Sequence, residues 1–408
     1  SSSLQLFGDK VTARALAQSC GIPVVPGSTA ALSSSNEARE FADDIGYPVM
    51  LKAAAGGGGR GMRAVRAEEE LADAFARCQS EAAAAFGDGS IFIEKLVERP
   101  RHIEVQVLAD TGGQTVHLHE RDCSVQIRNQ KVVEIAPAAG LDPTLRQNML
   151  DDAIKLAKAA DYVNAGTVEF LVSPESGGYY FIECNPRIQV EHTVTEQVTG
   201  IDLVETQFHI AGGASLESLG LGDQTAIGAA RGYAVQIRVV AQGSGTITGY
   251  KEPSGPGIRV DACGYLGYAP PSQFDPLLAK LICTSNSGSA LSSAVERTLA
   301  ALDEFHIGGL PTNLSQLRAI LEKPEVRIGD ARTSLMAEHP DLSPDASDRA
   351  PGRTASEAVS FLEQQAAALI TPGSGQKSAQ FLSNLPPLEV TDGATGLECP
   401  MAGSILEL

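Results

Sequence analysis

Between Gly166 and Asn185 the sequence GTVEFLVSPESGGYYFIECN sets two apolar and aromatic runs around the turn signal PESGG, the pattern of a β-hairpin. A turn centred on Ser176 fixes the pairing and puts Glu169 directly opposite Glu183. Their Cβ atoms would lie about 5 Å apart, a distance at which like charges destabilise a sheet unless something compensates them. Parity brings Asn185 onto the Glu183 face. Two carboxylates and an amide oxygen form an all-oxygen set suited to Mg²⁺ or Mn²⁺ with phosphate completing the shell; a solvent-facing acidic pair is the competing reading. Past the hairpin Pro186 stops the ladder, and Arg187, Gln189 and Glu191 project at alternate positions. The Arg187 fork suits a small oxyanion and Glu191 could take its proton, or the group is a set of plain salt bridges. His192 reads as a packing residue.

The whole chain bounds the answer. Its 408 residues suggest two or three domains with ample apolar material. A net charge of −19 argues against a general nucleic-acid or membrane-surface binder, so anionic ligands must be held by local groups. Seven scattered cysteines without a CxxC indicate neither a disulfide framework nor a zinc site, which favours a reducing compartment. No run has the apolar length of a membrane span, and SSSLQLFGDK lacks the layout of a signal peptide. The abrupt start suggests a fragment. Cytoplasm is the expected location, with the mitochondrial matrix as the alternative if a transit peptide was cut away.

Helix and strand patterns alternate to about Leu321, the signature of a mixed α/β body. Asp9 to Ser19 reads as a helix closed by Gly21, and Asn36 to Ile45 as a second one ending at Gly46. The strand PVMLKAAA then places Val49, Leu51 and Ala53 on one face and Met50, Lys52 and Ala54 on the other. Further on, the stretch from Arg101 to Ala138 reads as a strand, a turn and a long polar segment. Its charges, among them Glu104, Arg121 and Lys131, are too many for a bland surface strand. From about Thr333 a Pro-, Asp- and Ser-rich linker carries one helical patch, SEAVSFLEQQAAALI, and the final LECPMAGSILEL turns strand-like.

AAAGGGGRGMRAV meets the GxGxxG spacing, yet strand character resumes at Met62 and the next helix starts only near Glu68, which rejects a dinucleotide fingerprint. No Gly-Lys-Ser/Thr follows, so the Walker pattern fails too. What remains is a glycine-rich hairpin tip able to lay backbone N–H groups over phosphates and move as a lid, or else a merely flexible loop.

Taken together, GDKVTAR, IPVVPGS, LKAAAGGGGRGMR, IEKLVERPRHIEVQVLAD, HERDCSVQIRNQKVVEIAPA, FIECNPRIQVEHTVTEQVTGIDLV and FDPLLAKLI resemble the biotin carboxylase component of biotin-dependent carboxylases, within the ATP-grasp superfamily. The resemblance runs in order from about residue 7 to 330. It implies an α/β (α+β) ATP-grasp fold with a glycine-rich lid subdomain and a biotin carboxylase C-terminal subdomain. The expected division is 1–23 as the end of an N-terminal lobe, 24–95 the lid, 96–230 the body, 231–332 the C-terminal subdomain, 333–395 a linker and 396–408 the start of a biotinyl carrier domain.

By position, the resemblance implies that Lys10 and Lys52 touch ATP phosphates, that Gly57, Gly58 and Gly59 cover them, and that Glu94 with the Lys95 and Leu96 backbone meets adenine. His102 and Gln126 fall on nucleotide contacts. Glu169 and Glu183 match the ligands of Mg²⁺ or Mn²⁺, with Asn185 adjoining. Lys131, Arg187, Gln189 and the Val190 backbone match a bicarbonate pocket, Glu191 the base, and Arg259 an arginine near biotin and phosphate. Two departures stand out: Asn129 replaces a usual histidine, and Asp275-Pro276 a usual Asp-Ser. The implied partners are a biotinyl carrier domain, a carboxyltransferase domain or subunit, and further copies in a homo-oligomer. Another bicarbonate-phosphorylating ATP-grasp ligase, or a structural fragment of the carboxylase, are the alternatives.

Overall fold

The computed structural model describes residues 2–54, 61–285 and 289–342. Three strands, β1 (Val49–Ala53), β2 (Met62–Val65) and β3 (Ile91–Lys95), form a small antiparallel sheet in the order β2-β1-β3. The alternation expected of PVMLKAAA is present: Val49, Leu51 and Ala53 are buried with Ile91 and Ile93. Helices Ser35–Ile45 and Glu68–Phe86 cover that face, contributing Ala38, Ala42, Leu71 and Phe75 to the same core. The first begins where Ser34 Oγ accepts from Glu37 N, while Glu37 returns a carboxylate to Ser33 N, and it ends at Gly46 with φ +74°. Lys52 and Met50 are left on the opposite face.

Eight strands form the large sheet: β4 (Arg101–Ala109), β5 (Thr115–Ile127), β6 (Gln130–Ala136), β7 (Asn164–Val172), β8 (Tyr179–Asn185), β9 (Ala234–Val240), β11 (Ile258–Ala262) and β12 (Leu277–Thr284), with β10 (Gly249–Lys251) pairing β13 (His306–Gly308) apart from it. Its order is β11-β12-β9-β6-β5-β4-β7-β8, and every pairing is antiparallel. The polar segment after the first turn, which the sequence left without an assigned structure, forms β5 and β6, strands in the middle of the sheet. Most of their side chains are buried, many of the polar ones pair with one another, and no apolar alternation marks β5.

One face of β4 carries Ile103, Val105 and Val107 into a core shared with Val168, Phe170 and the helix Pro143–Ala159. The other face carries His102, Glu104 and Gln106, all buried. Helix Lys10–Ser19 joins the first of these cores through Ala13 and Ala17; Asp9 caps it by accepting from Thr12 N at 2.9 Å. A third core joins β9 and β12 to helices Leu291–Glu304 and Leu314–Leu321. Residues 333–342, expected from composition to open the linker, pack on this body: Thr333 N donates to Pro100 O, and Leu335 and Leu342 are buried. The glycine tip, the helical patch and the strand-like tail expected from sequence lie outside the described residues.

Candidate active site

The hairpin β7–β8 has the register its turn implied around the acids: Thr167 faces Asn185 and Glu169 faces Glu183. One step further the register shifts and Phe170 faces Phe181, leaving Ile182 as the extra residue of a β-bulge. The bulge lets both Phe181 and Cys184 enter the core while Glu183 and Asn185 stay on the open side. Across the large sheet a single row runs Arg121, Glu104, Glu169, Glu183, each facing the next on the neighbouring strand. Three adjacent carboxylates repel, and three basic side chains offset them.

Lys131 is the first. Its Nζ donates to Glu104 Oε2 at 2.5 Å, Glu169 Oε1 at 2.8 Å and Glu191 Oε1 at 2.7 Å. Burial pushes the ammonium toward the neutral form, but these three anions outweigh it and hold its pKa well above the usual lysine range. His102 is the second: Nε2 lies 2.7 Å from Glu169 Oε2, and Nδ1 accepts from Gln126 Nε2 at 2.9 Å. Burial alone would raise the Glu169 carboxyl, yet Lys131 and His102 keep it well below the ordinary carboxylate range.

Arg121 is the third. It is fully buried and all five of its N–H donors are used, by Glu104, Gln106, Thr195, Thr167 and Gln189. A guanidinium has no acceptor, so the Gln189 amide must turn its oxygen to Arg121 and its nitrogen outward, where Nε2 donates to Glu169 Oε1 at 2.9 Å.

Glu191 stands just before the helix His192–Thr199 and its carboxylate is held from both sides, by Lys131 and by Arg238 Nη2 at 2.9 Å. Burial would raise its carboxyl; the two cations outweigh burial and lower it to about 2. Arg238 also donates to the buried Glu134 through Nε at 2.6 Å. His192 places Nδ1 2.8 Å from Gln189 O and Nε2 3.7 Å from Glu196 Oε1.

A cavity of about 490 Å³ opens between this row and the inner face of the small sheet. Lys10, Lys52, Glu94, Lys95, Leu96, His102, Gln126, Lys131, Glu169, Glu183, Asn185, Arg187, Gln189, Val190 and Glu191 all line it. Asn185 joins the acidic pair: Nδ2 donates to Glu169 Oε1 at 2.9 Å and Glu183 Oε1 at 3.3 Å. Its nitrogen, not the expected oxygen, meets the carboxylates because they only accept, and its Oδ1 accepts from Arg187. Glu183 is half-exposed, 3.9 Å from Lys10 Nζ. The Lys95 and Leu96 N–H groups donate to Pro26 O and Pro48 O. Asn129 also lines the cavity.

Arg259 is not among the lining residues. It pairs with Glu196 at 2.7 Å and Asp261 at 2.8 Å, and Asp261 in turn meets Lys280, which donates to Val190 O. Gly57, Gly58 and Gly59 lie outside the described residues. Sequence reasoning passed over Arg14, Glu134 and Arg238. Arg238 left one signal, a lone cation inside the apolar run AVQIRVV.

Residues 9–219 match the family model for the carbamoyl-phosphate synthase L chain, ATP binding domain, and residues 236–338 the model for the biotin carboxylase C-terminal domain. The biotin carboxylase domain of Hydrogenobacter thermophilus 2-oxoglutarate carboxylase is 42% identical with a TM-score of 0.79, over 83% of this chain and 75% of that one. This chain belongs to the biotin carboxylase family. The Campylobacter jejuni biotin carboxylase is 40% identical with a TM-score of 0.78, again over 83% and 75%. The former structure is a domain dimer holding MgADP, ADP and bicarbonate; the latter holds a β,γ-ATP complex. Human mitochondrial pyruvate carboxylase is 47% identical over 345 residues, and the Pichia angusta enzyme 49% over 348. This biotin carboxylase chain spans 29% of the length of each of those two carboxylases. Its two matched regions, 9–219 and 236–338, account for most of the fold described above. No helix among its described residues is long and apolar enough to cross a membrane.

Proposed function

We propose that this chain carboxylates biotin with bicarbonate at the expense of ATP, as the biotin carboxylase part of a longer carboxylase. The observation that carries the reading is the opening of Glu169, Glu183, Lys131 and Arg187 into one cavity faced by Lys52. In this reading 24–95 is the lid, 96–230 the body and 231–332 the C-terminal subdomain. Lys10 and Lys52 hold nucleotide phosphates, Glu94, Lys95 and Leu96 meet the base, and His102 and Gln126 complete the nucleotide contacts.

Glu169 and Glu183 fit a divalent cation, because they are acceptor-only groups converging on one cavity where a lysine 3.9 Å away is the nearest counter-charge to Glu183. Mg²⁺ or Mn²⁺ held there would supply neutralisation of phosphate charge during transfer. Asn185 sits beside that pair.

Arg187, Lys131, the Gln189 amide nitrogen and the Val190 backbone hold bicarbonate. Its oxygen attacks the γ-phosphorus as the bond to ADP breaks, giving carboxyphosphate, which separates into CO₂ and phosphate. The phosphate takes the ureido proton of biotin, and the biotin nitrogen captures CO₂. Glu191 accepts the bicarbonate proton: an anion that draws Lys131 to itself loosens the clamp on Glu191 and lifts its carboxyl from about 2 toward a range where it serves as a base. Arg259, paired with Glu196 and Asp261 outside the cavity, is assigned to the biotin end of the pocket on the family resemblance alone.

The partners are a biotinyl carrier domain, a carboxyltransferase and a second copy of the chain, in cytoplasm or mitochondrial matrix. Incubating the chain with MgATP, labelled bicarbonate and free biotin tests the reading. ADP release that depends on bicarbonate, with label in acid-labile carboxybiotin, is expected; nucleotide binding with neither would contradict it.

A further inference from the structure

Glu94 is nearly buried and has two cations. Lys52 Nζ bonds its Oε2, and Arg14 Nη1 donates to its Oε1 at 2.9 Å. Side-chain exposure is 22% for Lys52, 16% for Glu94 and 15% for Arg14, so all three sit where an unpaired charge is costly. The contacts differ in origin. Lys52 and Glu94 belong to the same three-stranded sheet, on β1 and β3. Arg14 reaches in from helix Lys10–Ser19, and its other nitrogen, Nη2, donates to Val25 O at 2.5 Å, which fixes the guanidinium independently of Lys52. Two cations on one carboxylate leave one positive charge in surplus at this end of the cavity.

We propose that Arg14 is the standing counter-ion of Glu94, a positioning residue that releases Lys52 to bind nucleotide phosphate. This rests on the reading of Lys52 as a phosphate ligand. Moving Lys52 onto an anion would strand Glu94 as a buried, unpaired carboxylate if Lys52 were its sole partner. Arg14 remains bonded to Glu94 through the move, so the surplus cation is free for the ligand at little cost. Without Arg14 the remaining pair neutralises itself, and a polyanion must break it.

Calorimetric titration of MgATP into the full chain tests this. Arg14→Met is expected to weaken binding about 10-fold, and Arg14→Lys, which keeps the charge, to recover part of that loss. In a Glu94→Gln background no carboxylate remains to hold Lys52, so adding Arg14→Met should then cost less than about 2-fold. Equal affinity of Arg14→Met and the parent, or a full loss persisting in the Glu94→Gln background, overturns the inference. A parent chain that takes up no MgATP overturns the proposed function with it.

Discussion

Glu169 stands directly across the β7–β8 ladder from Glu183, and Asn185 Nδ2 donates to both carboxylates, so the two acids converge on one cavity instead of turning apart. A sheet accepts such a pair only with compensation. Lys131 and His102 supply it on the Glu169 side, and the Glu183 side is left for a ligand.

Lys131→Met removes the cation shared by Glu104, Glu169 and Glu191 and leaves three buried acids facing one another. Urea unfolding should show a loss of about 3–5 kcal/mol, the range for breaking one side of a buried ion pair. A loss within 0.5 kcal/mol, the usual range for surface substitutions, would mean that Lys131 is dispensable to the row.

Glu191 fixes a direction for stability against pH. Its folded carboxyl is lowered from 4.5 to about 2, so the folded state binds its proton less readily than the unfolded chain. The stabilisation is full above pH 4.5 and disappears as pH falls through about 2. Glu191→Gln should flatten that part of the pH–stability curve; an unchanged slope would remove Glu191 from the acid response.

A third outcome concerns the pocket. Arg187→Ala should raise the KM for bicarbonate at least about 10-fold in bicarbonate-dependent ATP cleavage, because a charge-assisted contact is lost. The KM for ATP should stay within about 2-fold. Equal rises in both would place Arg187 in general support of the fold.

Gly166 tests the packing beneath the acids. A Cβ there would come within 2.5 Å of the Tyr162 hydroxyl and 2.6 Å of its ring, which is buried and anchored by a bond to Ala165 O. Gly166→Ala should cost about 1–3 kcal/mol in urea unfolding, the usual effect of overpacking.

The hairpin was legible because it is bounded by a clear turn and sets two facing acids inside apolar and aromatic runs. The β1 alternation was legible for the ordinary reason that one face is buried and the other opens on the cavity. β5 and β6 were not, since a strand covered on both faces and filled with paired charges has no period-2 apolar signal. The bulge at Ile182 was hidden too, because it shows only in the pairing of Phe170 with Phe181 across the ladder. The residues that the family resemblance pointed to line the cavity where they are described, Arg259 excepted, but the hydrogen bonds of Arg121 and the Arg14–Glu94 pair join residues 15 to 80 positions apart.

The most direct test of the central claim is calorimetric titration of MgATP into the parent chain and Glu183→Gln. The account predicts that the parent binds and that the variant binds at least about 10-fold more weakly, while ATP offered with chelator in place of metal distinguishes the two proteins little. Equal MgATP affinity in parent and variant would contradict a divalent ion held between Glu169 and Glu183.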